Sequence, residues 1–243
     1  MVRFLSAASL LVGLITAFSS TADTKNAAGG GFLDFNIYPY LSDVDNDPVF
    51  TFNIAASLEH GFSYFSLNNF SNQIREGELG DTVGYYSEQN LRWRIGPDSA
   101  FDLTFQSNFR SGQDNDRHRL GIRWRLQDST ALKKWLDAVH LQYSINLHAL
   151  QFDDEDAYVW QMEHVFRLTF PQWSNRLYLG GFIDHTFNED LADSLPDNPI
   201  VGEIQLGYPL LENLYGVTEY RVNQYRRSDV NNLALGIEYL MRW

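Results

Sequence analysis

Apolar and polar side chains alternate along much of the chain, and residues 233–243 show this most clearly. The large apolar set consists of Leu233, Leu235, Ile237, Tyr239, Met241 and Trp243, and the alternate set of Ala234, Gly236, Glu238, Leu240 and Arg242. A period of two places one set on each face of a β-strand. The segment is therefore predicted to be a strand with one apolar face, which suits either a membrane barrel or an edge strand of a soluble sandwich.

Segments with the same alternation recur along the chain and are separated by clusters of Pro, Gly, Asn and Asp. Strands are predicted near residues 32–41, 49–59, 61–70, 83–95, 100–110, 117–126, 138–151, 157–170, 175–187, 199–208, 213–226 and 231–243. An even number of strands of these lengths is typical of a barrel that crosses a membrane with tilted strands. The predicted fold class is all-β: a single transmembrane antiparallel β-barrel of about 12 strands, forming one domain over residues 23–243.

The connections between the predicted strands are of two kinds. Those after odd-numbered strands hold most of the acidic residues, and they span 42–48, 71–82, 111–116, 152–156, 188–198 and 227–230. Those after even-numbered strands are mostly short, except 128–137, which begins with the capping residue Asp128 and can form a single amphipathic helical turn. Bacterial barrels combine longer extracellular loops with short periplasmic turns. Residues 71–82 and 188–198 are therefore expected outside the cell, and residues 128–137 in the periplasm.

Both ends of the chain indicate export. Residues 1–22 contain one early positive charge, a short apolar run and the small residues Ser20, Thr21 and Ala22. This pattern predicts a secretory signal peptide that is cleaved after Ala22. No later segment holds the roughly 20 consecutive apolar residues of a transmembrane helix. An aromatic last residue after an alternating strand, here Trp243, resembles the C-terminal signature of bacterial outer-membrane β-barrels. The expected location is therefore the bacterial outer membrane.

The composition limits the classes of molecule that the chain can be expected to bind. The chain of 243 residues has no Cys, 15% aromatic residues and a net charge of −13, and its mean hydropathy is −0.31. The lack of Cys excludes disulfides and thiolate metal sites, and the negative charge argues against nucleic acid as a partner. The expected partners are a small solute and outer-membrane lipid. A monomer without cofactor or metal is expected.

Two acidic segments, residues 43–47 and 153–156, raise the alternative of Ca²⁺ binding. The first lacks the glycine and the distal glutamate of a Ca²⁺-binding loop. A solvated run of charge is the favoured interpretation. Loose divalent binding that bridges these loops to anionic lipid headgroups remains an alternative.

The polar faces of the strands are predicted to line a lumen. Their arginines concentrate on the fourth to sixth strands, whereas Glu203, Glu219 and Glu238 lie on the last three. Basic and acidic walls that face each other would create a transverse field that orients dipolar solutes. The alternative is that these charges pair with their neighbours and plug the barrel.

The third strand departs from the alternation, since aromatic residues occupy both of its faces. If Phe65 and Leu67 face lipid, then Phe62, Tyr64 and Phe70 face the lumen. Lumenal aromatic rings would form a stacking surface for a flat heterocycle or a sugar. The equally favoured alternative is that they only narrow the pore.

A family resemblance follows from three segments, residues 50–67, 95–103 and 178–190. They resemble the nucleoside-specific channel-forming outer-membrane proteins (Tsx-like), and at the level of pattern the resemblance covers most of the mature chain. It implies a narrow twelve-stranded barrel that passes nucleosides by facilitated diffusion. The candidate solute-binding residues rest on face and residue type, and they are Phe62, Tyr64, Tyr86, Arg92, Asp102, Arg123, Phe182, Asp184, Glu219 and Arg221.

Two other functions are alternatives to a channel. A lipid-modifying hydrolase needs a Ser and a His within hydrogen-bond reach and a third group that orients the His. His140, Ser144 and His148 share an inner face, but neither His is an adjacent same-face neighbour of Ser144, so no enzyme is expected. A closed structural or adhesion barrel would have longer extracellular loops than this chain offers.

Overall fold

Strands form where apolar and polar residues alternate. The computed structural model of the chain describes residues 29–38, 41, 48–73, 82–111, 116–152, 158–227 and 229–243. Its twelve strands are β1 (Gly31–Ile37), β2 (Pro48–Ser57), β3 (Phe62–Gln73), β4 (Thr82–Arg94), β5 (Phe101–Arg110), β6 (Arg117–Arg125), β7 (Leu141–Phe152), β8 (Trp160–Phe170), β9 (Ser174–Phe187), β10 (Ile200–Pro209), β11 (Leu214–Asn223) and β12 (Asn231–Arg242). Each strand pairs antiparallel with its neighbours along the chain, and β1 pairs with β12 to close a barrel. The predicted fold class is confirmed.

The predicted signal peptide, residues 1–22, and the two acidic segments, 43–47 and 153–156, lie outside the described residues. No helix in the described part of the chain is long and apolar enough to span a membrane.

The barrel closes through its first and last strands. Phe35 lies opposite Tyr239. The backbone N–H of Gly31 donates to the carbonyl of Trp243 at 3.0 Å, and the N–H of Trp243 donates back at 3.1 Å. A Cβ on Gly31 would overlap the carbonyl oxygen of Ala55, so only glycine fits there. Closure pairs the two strand edges that an open sheet would expose.

The two ends of the barrel differ. The turn end carries the connections after the even-numbered strands, including the 3-10 turn Glu59–Gly61 and the helix α1 (Thr130–Ala138), and it also holds Gly31 and Trp243. The loop end carries the connections after the odd-numbered strands, including residues 188–199. This division follows the predicted alternation of connections.

The connection between β6 and β7 is more helical than predicted. The helix α1 extends over nine residues rather than a single turn, and its N-cap is Ser129 instead of Asp128. Asp128 is not the cap because its carboxylate pairs with Arg125 at 2.7 Å. The hydroxyl of Ser129 accepts a hydrogen bond from the indole N–H of Trp124 at 2.7 Å, so it is not capping the helix either.

Polar groups lie inside the barrel and apolar groups outside, the reverse of a soluble protein. Asn90, Thr104 and Asn146 are fully buried. Large apolar side chains on the outer face are exposed by about two-fifths to a half, among them Leu91, Phe101, Leu103, Phe105, Leu120, Ile122, Leu147, Ile204, Leu206, Leu233 and Leu235. These side chains, on β4 to β7, β10 and β12, form an outer apolar belt.

The strand β3 faces the opposite way from the prediction. Phe65 and Leu67 line the interior of the barrel, whereas Phe62 and Phe70 are exposed outside, and Tyr64 shares their face because side chains alternate along a strand. The predicted lumenal positions of Phe62, Tyr64 and Phe70 are therefore wrong.

The register of β3 is set by its neighbour rather than by its own residues. Leu67 lies opposite Glu88, and Phe65 lies opposite Asn90. Glu88 and Asn90 are buried inside the barrel, so their partners on β3 face inward as well. With aromatic rings on both faces, hydrophobicity alone cannot choose between two registers that differ by one residue and exchange every side chain.

Candidate functional site

A cavity of about 960 Å³ lies in the interior of the barrel. It extends from Asn223 and Tyr225 at the loop end to His140 and Arg242 at the turn end. Cavities that bind small molecules have volumes of roughly 300–1,000 Å³. The cavity is therefore large enough for a small solute and is lined by residues at both ends of the barrel.

The lining combines apolar surface with charges of both signs. Its apolar side chains are Phe32, Phe65, Leu67, Val165, Phe182, Val201 and Leu240. Its acidic residues are Asp34, Glu88, Glu163, Asp184, Glu203 and Glu238, and its basic residues are Arg110, Arg119, Arg167, Arg221 and Arg242. The mixture suits a solute that has an apolar part and a dipolar part.

The interior along β5 and β6 is filled by paired side chains, which we call the closed wall. Arg123 donates to Asp102 at 2.7 Å, and Arg125 lies 3.2 Å from the same carboxylate. Arg119 donates to Gln106 at 3.0 Å and to Gln151 at 2.8 Å. The alternative of paired, space-filling charges therefore applies to Asp102, Arg123 and Arg125, which do not line the cavity, whereas Arg119 is paired and also lines it.

Near the turn end, Tyr178 is the centre of a cluster that crosses several strands. The guanidinium of Arg167 lies 3.7 Å from the centre of the Tyr178 ring, a cation–π contact. The Tyr178 hydroxyl donates to the carboxylate of Glu238 and accepts from the Gln205 amide at 2.7 Å. Because these contacts fix Tyr178 from three sides, its ring forms a rigid part of the lining.

At the loop end, the segment 188–199 is joined to distant strands through Glu189. The two terminal guanidinium nitrogens of Arg117, Nη1 and Nη2, donate to its carboxylate at 2.6 and 3.1 Å, and the Tyr225 hydroxyl donates to it at 2.6 Å. The Glu189 side chain is only 1% exposed. The connection after β9 is thus attached both to β6 and to the connection after β11.

These contacts shift the pKa values of Glu189 and Tyr225. Burial by itself would raise the pKa of Glu189, but the hydrogen bonds from Arg117 and Tyr225 outweigh it and hold the pKa below its usual value. Burial and the hydrogen bond to Glu189 raise the pKa of Tyr225 to about 12. The charged carboxylate and the neutral phenol are therefore both favoured by the folded state.

Four of the candidate solute-binding residues line the cavity: Tyr86, Phe182, Asp184 and Arg221. The guanidinium of Arg110 lies 5.5 Å from the centre of the Tyr86 ring. Arg221 donates to Glu203 at 3.3 Å. An aromatic ring and an ion pair are thus available to the same solute.

The other candidates lie elsewhere. Arg92, Asp102 and Glu219 are buried on the inner face, but they do not line the cavity of 960 Å³. Arg123 belongs to the closed wall and borders a second cavity of about 150 Å³. The register of β3 places Phe62 and Tyr64 on the outer face, as described above. Their prediction as solute-binding residues is therefore corrected.

The arginine-rich and glutamate-rich walls do lie opposite each other, because β4 to β6 and β10 to β12 are half a turn apart in the ring. Each wall is partly neutralised by its own ion pairs, such as Arg123 with Asp102 and Arg221 with Glu203. The transverse field therefore stays a prediction, weakened by these pairs.

The candidates omitted Phe65, Leu67, Arg167 and Tyr178, all of which line the cavity. A signal for Tyr178 was present, since it alternates with the apolar residues Leu177 and Leu179, and neighbours along a strand lie on opposite faces. Nothing in β3 alone could have identified Phe65.

The residues of the hydrolase hypothesis do not come together inside the barrel. Neither ring nitrogen of His148 has a hydrogen-bond partner among the described residues, so it does not pair with Ser144. A Ser–His contact of 3.0 Å does occur on the outer face, between Ser107 and His118. The ring of His118 lies beside Phe105 and Phe109 rather than beside a carboxylate. The described residues contain no group of three or more His, Asp or Glu arranged to hold a metal ion.

Comparison with known proteins gives matches to solved structures alone. No protein-family model and no curated protein matches the chain. The chain is similar to the KdgM porin, with 14% identity and a TM-score of 0.48 over 86% of this chain and 98% of that chain. It is similar to the KdgM porin in complex with disordered oligogalacturonate, with 14% identity and a TM-score of 0.47 over 86% and 98% of the two chains. A mutant of Rh. blastica porin matches with 9% identity and a TM-score of 0.35 over 88% and 99%. Similarity at this level does not identify a solute.

Proposed function

We propose that the chain is an outer-membrane channel through which small polar solutes diffuse. The observation that carries the proposal is the cavity of about 960 Å³, which is lined by residues at both ends of a closed barrel. A catalytic site would need a reactive group and an orienting partner at the cavity. A channel needs only a polar passage that binds its solute weakly enough to release it.

The outer surface supports a membrane location. Its apolar belt would be unfavourable in water, since large contiguous apolar patches mark a surface that is covered. Trp93, Trp135, Trp173 and Trp243 are exposed near the turn end, and aromatic rings of this kind favour the depth of the lipid headgroups. We place the turn end in the periplasm and the loop end outside the cell.

The solute class we propose is a small dipolar molecule with a flat ring, and a nucleoside is the first choice. The choice of a nucleoside rests on the resemblance of residues 50–67, 95–103 and 178–190. It is supported by aromatic side chains in the cavity, Phe65, Tyr86 and Phe182, which offer stacking surfaces. These residues take the role first assigned to Phe62 and Tyr64. Nearby ion pairs would orient the sugar of the solute.

A flux assay with two phenylalanine variants tests this assignment. Phe65→Ala removes a cavity-lining ring, and a stacking contact is worth about 1 kcal/mol, or roughly a fivefold change in binding. We expect a selective fall in nucleoside flux into proteoliposomes, measured by swelling. Phe62→Ala, in the same strand but on the outer face, is the matched control and is expected to leave the flux unchanged.

Equal changes for nucleosides and for sugars of similar size in Phe65→Ala would contradict a stacking role. Phe65 would then be a side chain that only narrows the pore. Equal effects of Phe65→Ala and Phe62→Ala would contradict the placement of the solute path itself.

A further inference from the structure

The second cavity lies beside the main one at the turn end of the barrel, and we call it the side cavity. Its volume is about 150 Å³, and it is lined by residues of β6, β7, β8 and the connection between β6 and β7. In register, Arg125 lies opposite Ser144, and Gln142 lies opposite Arg167. Because opposite residues share a face of the sheet, these side chains meet on the inner face of three neighbouring strands.

The charged residues that line the side cavity are arginines: Arg123, Arg125 and Arg167. Among the described residues, no carboxylate belongs to this lining. Arg123 and Arg125 are paired with Asp102, at 2.7 and 3.2 Å. Arg125 is also paired with Asp128 at 2.7 Å. The carboxylates that pair with the lining arginines therefore lie outside the cavity wall, and the wall itself is basic.

Arg167 is the unpaired cation of the side cavity. Its guanidinium lies 3.7 Å from the centre of the Tyr178 ring, and it makes no ion pair or hydrogen bond with the part of the chain that the structure describes. A guanidinium that lies on an aromatic ring keeps its N–H groups in the plane of the guanidinium, where they can donate to a ligand. Arg167 is therefore held in place before any anion binds, which lowers the entropic cost of binding.

The other polar groups of the lining also offer hydrogen-bond donors. The Nε–H of Arg125 is buried without an acceptor, and the side chain of this residue is only 8% exposed. The Ser144 hydroxyl and the Gln142 amide make no hydrogen bond to another described residue. Buried donors are nearly always satisfied in folded proteins, and arginine has donors only. The side cavity therefore matches a ligand that is rich in acceptors and negatively charged.

We propose that the side cavity binds a phosphate group, either as inorganic phosphate or as the phosphate ester of a solute in the main cavity. A phosphate accepts hydrogen bonds on several oxygens at once, and arginine is well suited to it because its planar fork can donate two parallel bonds. Arg123 and Arg125 reach the cavity from β6, and Arg167 reaches it from β8. Lipid phosphates are not a source, because these residues lie on the inner face of the barrel.

A phosphorylated solute can occupy both cavities at once. The two cavities share Gln142, Val165 and Arg167 in their linings. Val165 lies opposite Phe182, one of the rings proposed above for stacking, and side chains in this relation are about 5 Å apart. A flat ring on Phe182 and a phosphate at Arg167 can thus belong to one molecule, a nucleoside monophosphate. This step rests on the proposed function, whereas the binding of inorganic phosphate does not.

Calorimetric titration of the refolded, full-length protein in detergent tests the proposal, with inorganic phosphate, a nucleoside and its monophosphate as probes. Arg167→Gln removes the unpaired cation. Gln142→Glu, at an exposed position and nearly unchanged in volume, adds a carboxylate to the basic wall. Arg176→Gln is the matched control, because Arg176 is also at the turn end but is exposed and donates to the backbone carbonyls of Leu211 and Glu212. Heat-modifiable migration confirms that each variant is folded.

We expect the unmodified protein to bind inorganic phosphate and to bind the monophosphate more tightly than the nucleoside. Arg167→Gln is expected to weaken phosphate binding about tenfold or more, as the loss of one charge-assisted hydrogen bond implies. Gln142→Glu should weaken it through charge repulsion, and Arg176→Gln should leave it unchanged. Phosphate binding without a preference for the monophosphate over the nucleoside would support inorganic phosphate as the occupant.

The proposal is overturned if the folded, unmodified protein does not bind phosphate, or if Arg167→Gln and Gln142→Glu bind it as the unmodified protein does. An equal loss in Arg176→Gln would also overturn it, since the attraction would then belong to the whole turn end. Nucleoside flux through a protein that does not bind phosphate would refute this inference alone. Phosphate binding by a barrel without any flux would refute the proposed function alone.

Discussion

At the scale of single residues, Glu189 illustrates how one buried carboxylate organises an end of the barrel. It connects Arg117 on β6 with Tyr225 after β11, and it is itself part of the segment that follows β9. Hydrogen bonds to charged groups contribute roughly 1.5–3 kcal/mol each. The segment 188–199 is therefore expected to be ordered for as long as this carboxylate stays ionised.

The sign of the pH dependence follows from the two shifted groups. The pKa of Glu189 is lowered in the folded state. Its contribution to the stability of the folded state is therefore present above its ordinary pKa of about 4.3, and it is lost as the pH falls through the lower, folded value. Tyr225 has its pKa raised to about 12. Its contribution is present below its ordinary pKa of about 10 and is lost as the pH rises through 12.

Hydrogen exchange of residues 188–198 tests this account. The backbone N–H of Glu189 donates to the carbonyl of Asp197 at 3.1 Å, so its protection reports on the segment. At neutral pH, Glu189→Gln is expected to raise the exchange rate of the backbone N–H at position 189 about tenfold or more, which corresponds to the loss of one charge-assisted hydrogen bond. Asp193→Asn, at an exposed position of the same segment, is the control. An unchanged exchange rate in Glu189→Gln would show that the segment is held by other contacts.

At the scale of elements, the alternating pattern was sufficient to place all twelve strands. Successive side chains of each strand face the apolar outer surface and the polar interior of the barrel in turn. The pattern failed at β3, where Phe62, Tyr64, Phe65 and Phe70 offer apolar groups to both sides. There the buried polar residues of β4 decide the register. A pattern within one strand cannot contain that information, since the decision belongs to the pair of strands.

The close approach of β6 and β7 at their irregular pairing predicts that Gly121 is needed for the stability of the barrel. The register shifts between Leu120 and Ile122, and a Cβ on Gly121 would overlap the carbonyl of Leu147. Gly121→Ala is expected to destabilise the barrel by about 1–3 kcal/mol through overpacking, measured by urea unfolding in lipid vesicles. Gly96→Ala, where a Cβ meets open space, is expected to change stability little. Equal stabilities would contradict the close approach of the two strands.

At the scale of the whole molecule, the interior is divided between a filled side and an open side. Sequence alone predicted opposite walls of arginine and glutamate, and the ring order of the strands agrees with it. It could not reveal that Asp102 neutralises Arg123 and Arg125 within one wall, because such pairing depends on side chains from neighbouring strands. For this reason Asp184 lines the cavity, whereas Arg123 does not, and solute binding by the candidate residues stays a prediction.

This division predicts which charges control ion selectivity. Arg242 and Asp34 line the cavity near the turn end, so Arg242→Gln is expected to shift selectivity toward cations and Asp34→Asn toward anions. The measurement is the reversal potential across a planar bilayer with a salt gradient. Lys133→Gln, on the exposed surface of α1, should leave the potential unchanged. Shifts of the same sign in both lumenal variants would contradict a path along these residues.

Flux through the unmodified protein decides whether the barrel is an open channel for small polar solutes. Refolded protein with heat-modifiable migration is reconstituted into liposomes, and swelling is compared in nucleosides, sugars and amino acids of similar size. We expect swelling well above that of empty liposomes for all three classes and the highest rate for nucleosides. Swelling no faster than in empty liposomes, from protein shown to be folded and inserted, would contradict an open channel.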